Sequence, residues 1–477
     1  MIPASQRNHS FGLTPAQGRM FFCEQAGSAP GAAGRGPAGR GPGGRDTMTD
    51  DQHRTAPQAP WSGTPTTPPA VGTDPGPAAP GDARPAGPRR PRLIGIDAAR
   101  GFALIGMISI HIMPMWDPET FEPTAQWTVF AGRSAALFAL LAGVGLAFSS
   151  GGRHPHGGRT MTADRVGVAV RALLIALLGL SINHVLPGNT PDDVPAFNIL
   201  VYYGVFFLLA IPFLHLRARS LFAWAAGFMV AGPVLLHLLG EAPLSSEQYN
   251  PTFTSLLAEP GATLVQLLLT GTFPALSYMA YLLVGLGIGR LDLHEGRTQA
   301  LLLAFGVMLA AIAWLVSWVL VFQAGGYEGM LWSEDWVTRE AISDTMIYGP
   351  DEELPTGSWW WLAIIAPYTS TPLTLLSATG TAVAAVGFFL ILARGVGQWV
   401  LPLSAMGSMT LTLYSLHLLA LSLELHYDQP AWFVIHVAVA AALALVWRQL
   451  FGQGPLERAV AEAVRAVRRP VLARGTR

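Results

Sequence analysis

The stretch RLIGIDAARGFALIGMISIH, residues 92–111, sets an aspartate, an arginine and a histidine into one nearly unbroken apolar run. Asp97 and Arg100 stand near its start and His111 closes it. An α-helix rises about 1.5 Å per residue, so Ile94 to His111 covers roughly 27 Å, close to one bilayer core. Ionisable side chains at membrane depth cost about 2.5–3.5 kcal/mol each on insertion scales, which marks such a helix as a carrier of function. Histidine titrates near neutrality, and that suits general-base work on a hydroxyl or amine. The ordinary alternatives are a snorkelling helix-end histidine and an anchor pair, with Asp97 favoured by the helix N-terminal dipole.

Residues of this kind work only if a scaffold gathers them. Of the 477 residues, 51% are hydrophobic and 12% are charged, and mean hydropathy is +0.39. Soluble domains carry about 25% charged residues, so the expected fold is an all-α polytopic membrane bundle of about ten transmembrane helices. The expected spans are 94–113, 129–149, 166–186, 196–215, 220–239, 272–290, 298–323, 371–393, 403–423 and 429–449. Within 262–290, Pro274 can split a re-entrant half-helix from a full span. Residues 1–91 are Gly/Pro/Ala/Arg-rich and cannot bury enough apolar surface to fold, so this region is expected to be disordered. It holds the lone cysteine, Cys23, and no apolar signal-peptide core, and MTDDQHRTAP reads as a natural start at Met48. Residues 92–450 form the membrane domain, and 451–477 a basic tail in which LERAVAEAVRAVRR can make an amphipathic helix on the inner leaflet or a solvated helical end.

Charge orients the chain. Arg153, Arg159, Arg165, Arg217, Arg219, Arg290, Arg297, Arg394 and the tail arginines fall on the N-terminal side, whereas the alternate loops are acidic, with Arg133 and Arg339 as exceptions. The positive-inside rule therefore puts both termini in the cytoplasm. On that topology many in-membrane polar groups share the outer depth: His111, Arg133, Ser134, Asn183, His184, Asn198, Tyr202, Tyr203, Tyr278, Tyr368 to Thr371, Tyr414 and His417. Tyr414 and His417, three apart, share a helix face. A water-filled pocket open to the outside would account for this. Each residue has a plainer reading: His184 as an interface residue, Arg133 as a partner of Asp117 or Glu122. The glycines Gly143/Gly145 and Gly285/Gly287/Gly289 read as close helix packing. The pair His154 and His156 is too short for a metal site, and the sequence holds no phosphate-loop, hydrolase-elbow, metalloprotease or nucleic-acid motif. The 324–370 loop is long and acidic, and carries Trp332, Trp336 and Trp359 to Trp361 as either a sugar platform or an interfacial belt.

The opening helix resembles that of the bacterial heparan-α-glucosaminide N-acetyltransferase-like membrane proteins. GRSAALFALLAGVGLAF, ILVYYGVFFLLAIPFLHL, YLLVGLGIGRLDL and MGSMTLTLYSLHLL are similar to the same group, and WRQLFGQGPLERAV resembles the closing signature of a related bacterial membrane domain of unknown function. The resemblance covers roughly 92–460. It implies acetyl-CoA as a cytosolic small-molecule donor substrate, an envelope glycan as acceptor on the far side, a histidine in the chemistry, and no metal or nucleic acid. Asp97, Arg100 and the inner arginines would lie at the CoA phosphates and His111 at the acceptor. His417 and Tyr414 would orient His111 or the acceptor, and Arg133, Asn183 and His184 would bind the acceptor. One departure stands out: the lysosomal enzyme has its catalytic histidine in the loop after the first helix, and the loop here, PMWDPETFEPTAQWT, has none. The chain thus reads as a membrane acyltransferase in a bacterial plasma membrane, surrounded by lipid and of undetermined oligomeric state. A transporter, or a noncatalytic membrane scaffold, is the alternative; a transporter would show internal repeats and helices broken at the midplane.

Overall fold

The computed structural model describes residues 93–186, 196–239, 249–350, 354–423 and 429–473; segment 1–91 lies outside them. Among the described residues the regular structure is all helical, with one isolated bridge between Trp116 and Pro123 in a connecting loop. In chain order come α1 (Ile94–Ile112), α2 (Ala125–Phe130), α3 (Arg133–Ser149), α4 (Gly158–Val185), α5 (Leu200–Ala210) and α6 (Ala218–Leu239). Next are α7 (Phe253–Ala258), α8 (Pro260–Val265), α9 (Ala275–Ile288), α10 (Gly296–Trp318), α11 (Gly326–Leu331) and α12 (Arg339–Tyr348). The series ends with α13 (Pro372–Gly395), α14 (Leu401–Gly407), α15 (Thr410–Leu421), α16 (Gln429–Phe451) and α17 (Pro455–Ala473).

Seven helical segments are long and apolar enough to cross a bilayer on their own. An eighth is a pair, Pro260–Thr270 and Ala275–Ile288, bent by 49° just where Pro274 interrupts the run. Two shorter apolar helices, Leu200–Phe213 and Thr410–Leu421, occupy the remaining expected spans. The multi-pass membrane bundle is therefore present, with a helix at each of the ten expected positions. Local chemistry sets the ends. Pro114 disfavours helical backbone at Met113, which turns extended at φ −85°, ψ 147° and closes α1. Thr371 accepts a hydrogen bond from the Thr374 N–H (3.1 Å) and Pro372 follows as the first helical residue, which starts α13.

The centre of the bundle is α1, α3, α9 and α13; two thirds (67%) of the α1 span is buried, against 17% for α16 at the periphery. Helices approach closely through glycine. A side chain at Gly143 would overlap the backbone of Leu282, and one at Gly285 the Leu140 carbonyl, so α3 and α9 touch main chain to main chain. Gly101 and Gly407 set the same close approach between α1 and α14.

At one end of the bundle, the tail end, buried Arg290 donates to the carbonyls of Ala147 (3.3 Å), Ser150 (3.3 Å), Gly152 (2.7 Å) and Leu214 (2.6 Å) and to Ser150 Oγ (3.0 Å). One guanidinium thus satisfies the open C-terminal carbonyls of α3 and of the α5 segment from its place after α9. The tail does form a helix, α17, and it is docked: Arg468 bonds buried Asp164 of α4 (2.5 Å), and Glu457 takes the Thr412 N–H (3.1 Å) and hydroxyl (2.6 Å) in the first turn of α15. At the other end, residues 324–350 and 354–370 form a cap whose small core of Met330, Val337, Ile342, Trp361 and Ile364 also takes in Val321. Trp361 is buried there, while Trp332 and Trp336 remain exposed.

Candidate active site

α1 carries Asp97 and Arg100 toward the tail end and His111 toward the cap. Asp97 is buried and pairs with Arg100 at 3.3 Å, and the guanidinium also reaches the Leu141 carbonyl of α3 (3.4 Å). Arg171, on α4, lies within electrostatic range of Arg100. Asp97, Arg100 and Arg171 thus share one region toward the tail end.

A slot of about 160 Å³ leads away from Arg100 along α1. Met107, Phe138, Ile175, Leu200 and Phe207 wall it, and Tyr203 and Tyr414 stand further along. The Tyr203 hydroxyl is buried without a hydrogen-bond partner among the described residues. Tyr414 donates to the Phe197 carbonyl (3.3 Å), and its ring centroid lies 6.4 Å from that of His111.

His111 is half-buried and meets His417 of α15, Nδ1 to Nε2 at 3.1 Å, with the rings parallel to within 1°. One of the two nitrogens must donate and the other accept, so this contact fixes the tautomers of the pair against one another. His111 Nε2 is left without a hydrogen bond among the described residues. A third histidine continues the row: His436 of α16 stands edge-on to His417 with centroids 5.1 Å apart, and its Nδ1 donates to the Trp432 carbonyl (3.2 Å). Such an arrangement can hold an imidazole in one orientation while its free nitrogen takes a proton. Among the described residues no group of histidine, cysteine and carboxylate side chains has the geometry to hold a metal ion.

Residues 92–322 match the family model described as heparan-alpha-glucosaminide N-acetyltransferase, catalytic. Over this stretch, just under half of the chain, the protein is similar to that family. The match supports a multi-pass membrane protein of acetyltransferase type, a type that uses acetyl-CoA as donor. A search of the curated proteins found no match. The family stretch supplies Asp97, Arg100, His111, Arg133 and Arg171; Tyr414, His417 and His436 lie beyond it.

The remaining site candidates do not join His111. Arg133 lines a separate cavity of about 210 Å³ with Trp127, Tyr278, Tyr281, Trp314 and Tyr368. Its guanidinium bonds the Thr128 carbonyl and, among the described residues, makes no ion pair with Asp117 or Glu122. Asp117 is engaged by the N–H groups of Glu119 (2.8 Å) and Thr120 (3.0 Å), which hold its carboxyl below the usual range. Asn183 is buried in an amide network, accepting from Asn198 Nδ2 (2.7 Å) and donating to the Pro251 carbonyl (2.6 Å), with Asn250 completing it against the Asn198 N–H (2.8 Å). Those contacts satisfy its amide internally. His184, next in sequence, faces outward.

His436 and Arg171 are site neighbours that do not stand among the candidates read from the sequence. Each had a signal: an ionisable group inside an apolar span, and for His436 a depth on the last span that matches His417 on the one before.

Proposed function

We propose that the protein moves an acetyl group from cytosolic acetyl-CoA to an acceptor on the outer side of a bacterial plasma membrane, an envelope glycan, with both termini in the cytoplasm. The observation that carries this reading is one helix, α1, with Arg100 near one end, within electrostatic range of Arg171 of α4, His111 hydrogen-bonded to His417 near the other, and a slot lined by both Arg100 and Tyr414, the tyrosine beside His111. Arg100 and Arg171 face the donor's phosphates, and the slot takes its extended arm. His111 Nε2 accepts the proton of the acceptor hydroxyl or amine while that oxygen or nitrogen bonds the acetyl carbonyl carbon. The carbon–sulfur bond breaks, and the proton finally goes to the departing CoA thiolate. His417 holds His111 through Nδ1, and Tyr414 fixes the wall next to it.

The test is CoA release from acetyl-CoA by purified protein in lipid nanodiscs, with Arg100→Ala beside it. Removing one charge-assisted contact is expected to raise the KM for acetyl-CoA about ten- to a hundredfold with a smaller change in kcat. No acetyl-CoA consumption with any envelope fraction as acceptor would end the reading. The bent α8–α9 pair and the break between α14 and α15 are features that a transporter shares; acetyl-CoA-independent substrate uptake into proteoliposomes would favour that alternative. The orientation has its own check. A cysteine at exposed Asp335, in a Cys23→Ser background, is expected to react with an impermeant maleimide in intact cells, and labelling only after lysis contradicts the topology.

A further inference from the structure

The Arg133 cavity has a neighbour deeper in the bundle. Below it, toward the tail end, lies an apolar crevice of about 830 Å³ between α6, α9, α10 and α13. The two share three walls. On α9 the cavity is lined by Tyr278 and Tyr281 and the crevice by Val284 and Ile288. On α10 the corresponding residues are Trp314 and then Leu309 and Phe305; on α13 they are Ser377 and Ala378 and then Thr379 and Val383. On each helix the lining passes from one to the other within about a turn and a half. Phe305 and Trp314 are half-exposed, so the crevice opens sideways where lipid chains would lie.

Polarity changes along this path. The upper part offers tyrosines, tryptophans and the Arg133 guanidinium, which has no carboxylate partner among the described residues. The lower part is lined by aliphatic side chains and phenylalanine over its middle and ends, toward the tail end, at Arg153, Arg290, Asp292 and Glu295. At the junction, the hydroxyls of Ser377 (2% exposed) and Thr379 (3% exposed) are buried with no hydrogen-bond partner among the described residues. Helical serine and threonine ordinarily satisfy such a hydroxyl on the carbonyl three or four residues back. Two buried, unused donors between a cationic aromatic cavity and an apolar crevice fit the polar neck of an amphipathic molecule.

We infer that this composite site binds a membrane lipid with an anionic head, and that the acceptor in the proposed acetyl transfer is lipid-anchored. Its chain lies in the crevice, its anionic linkage meets Arg133, and its glycan extends toward His111. Along the bundle axis the two levels are close. Ser134, next to Arg133, abuts α1 at Gly106, and five residues of helix from Gly106 to His111 rise only about 7.5 Å. This inference rests on the acetyl-transfer reading for what happens to the lipid, but not for its binding.

The probe is a phosphatidic acid carrying a diazirine in its acyl chain, at trace level in phosphatidylcholine nanodiscs with the full chain and no acetyl-CoA. Photo-adducts are expected on Val284, Phe305 and Leu309 in preference to the outer faces of α10 and α16. Arg133→Gln is expected to lower the crevice adducts about tenfold, the worth of one charge-assisted contact. Val284→Trp should remove them by filling the lower wall; Leu309→Trp does so from another helix if Val284→Trp fails to fold. A phosphatidylcholine probe with the same chain should label the crevice weakly. Equal labelling of all lipid-facing helices by both probes, unchanged in the variants, overturns the inference. Turnover on soluble glucosamine without crevice labelling defeats this inference alone, whereas crevice labelling without any acetyl-CoA consumption defeats the acetyl-transfer reading alone.

Discussion

Replacing His111 by alanine is expected to lower acetyl transfer about 10²–10⁴-fold, the usual loss when a positioned base is removed. The protein should remain folded in the membrane, because taking a polar ring out of a helix in lipid does not open the helix–helix contacts. Those contacts run through Gly101 and Leu403, well below His111 on α1. His417→Ala should cost less, since it removes the group that orients His111 and leaves the imidazole itself. The double variant should be no slower than His111→Ala alone, as befits groups acting as one unit. Single-turnover transfer of radiolabelled acetyl to the acceptor measures all three. Near wild-type transfer by His111→Ala would remove this residue from the chemistry.

The largest structural effect is expected at Gly285. Any side chain there would overlap the Leu140 carbonyl, and α9 cannot back away without losing its reciprocal contact at Gly143. Overpacking a close interface costs about 1–3 kcal/mol in ordinary cores and more where the obstacle is backbone. Gly285→Leu should therefore shift the melting transition in detergent strongly downward and reduce the monodisperse fraction. Gly227, on exposed α6, has open space around it, and Gly227→Leu serves as the control that should leave both unchanged. Equal behaviour of the two variants would show that the α3–α9 contact is looser than described. Because α3 begins at Arg133 and α9 carries Tyr278 and Tyr281, a mild Gly285→Ala defect should be felt first in the Arg133 cavity.

The spans were legible because apolar length and loop charge are one-dimensional properties of a chain. So was the break at Pro274, where a missing N–H and a fixed φ announce themselves. Depth was legible too: His111 and His417 could be set at one level from helix rise alone. Direction around each helix axis was not. Arg133 shares that level with His111 yet looks toward Tyr281 and Tyr368, and nothing local to residue 133 indicates which neighbour it faces. Asn183 shows the same limit, since its amide is satisfied by Asn198 and the Pro251 carbonyl across a long stretch of chain. The docking of α17 was hidden for another reason: an amphipathic pattern names a face but not what covers it, and Asp164 and Arg468 are brought together only by the fold.

Arg290 gives the bundle unequal ends. By gathering the carbonyls of two helix termini around one rigid planar cation, it ties these helix ends together at the tail end so that neither frays alone. Among the described residues the opposite end has no such rivet; its cap rests on a handful of side chains and on Tyr368 and Ser370 held at φ 60° and 52°, a conformation that non-glycine residues adopt only under constraint. Local opening follows the path of least cohesion. Within the helical bundle the tail end is therefore the more tightly tied, and the first local opening is expected at the cap, which hydrogen exchange would register as faster exchange there than around Arg290.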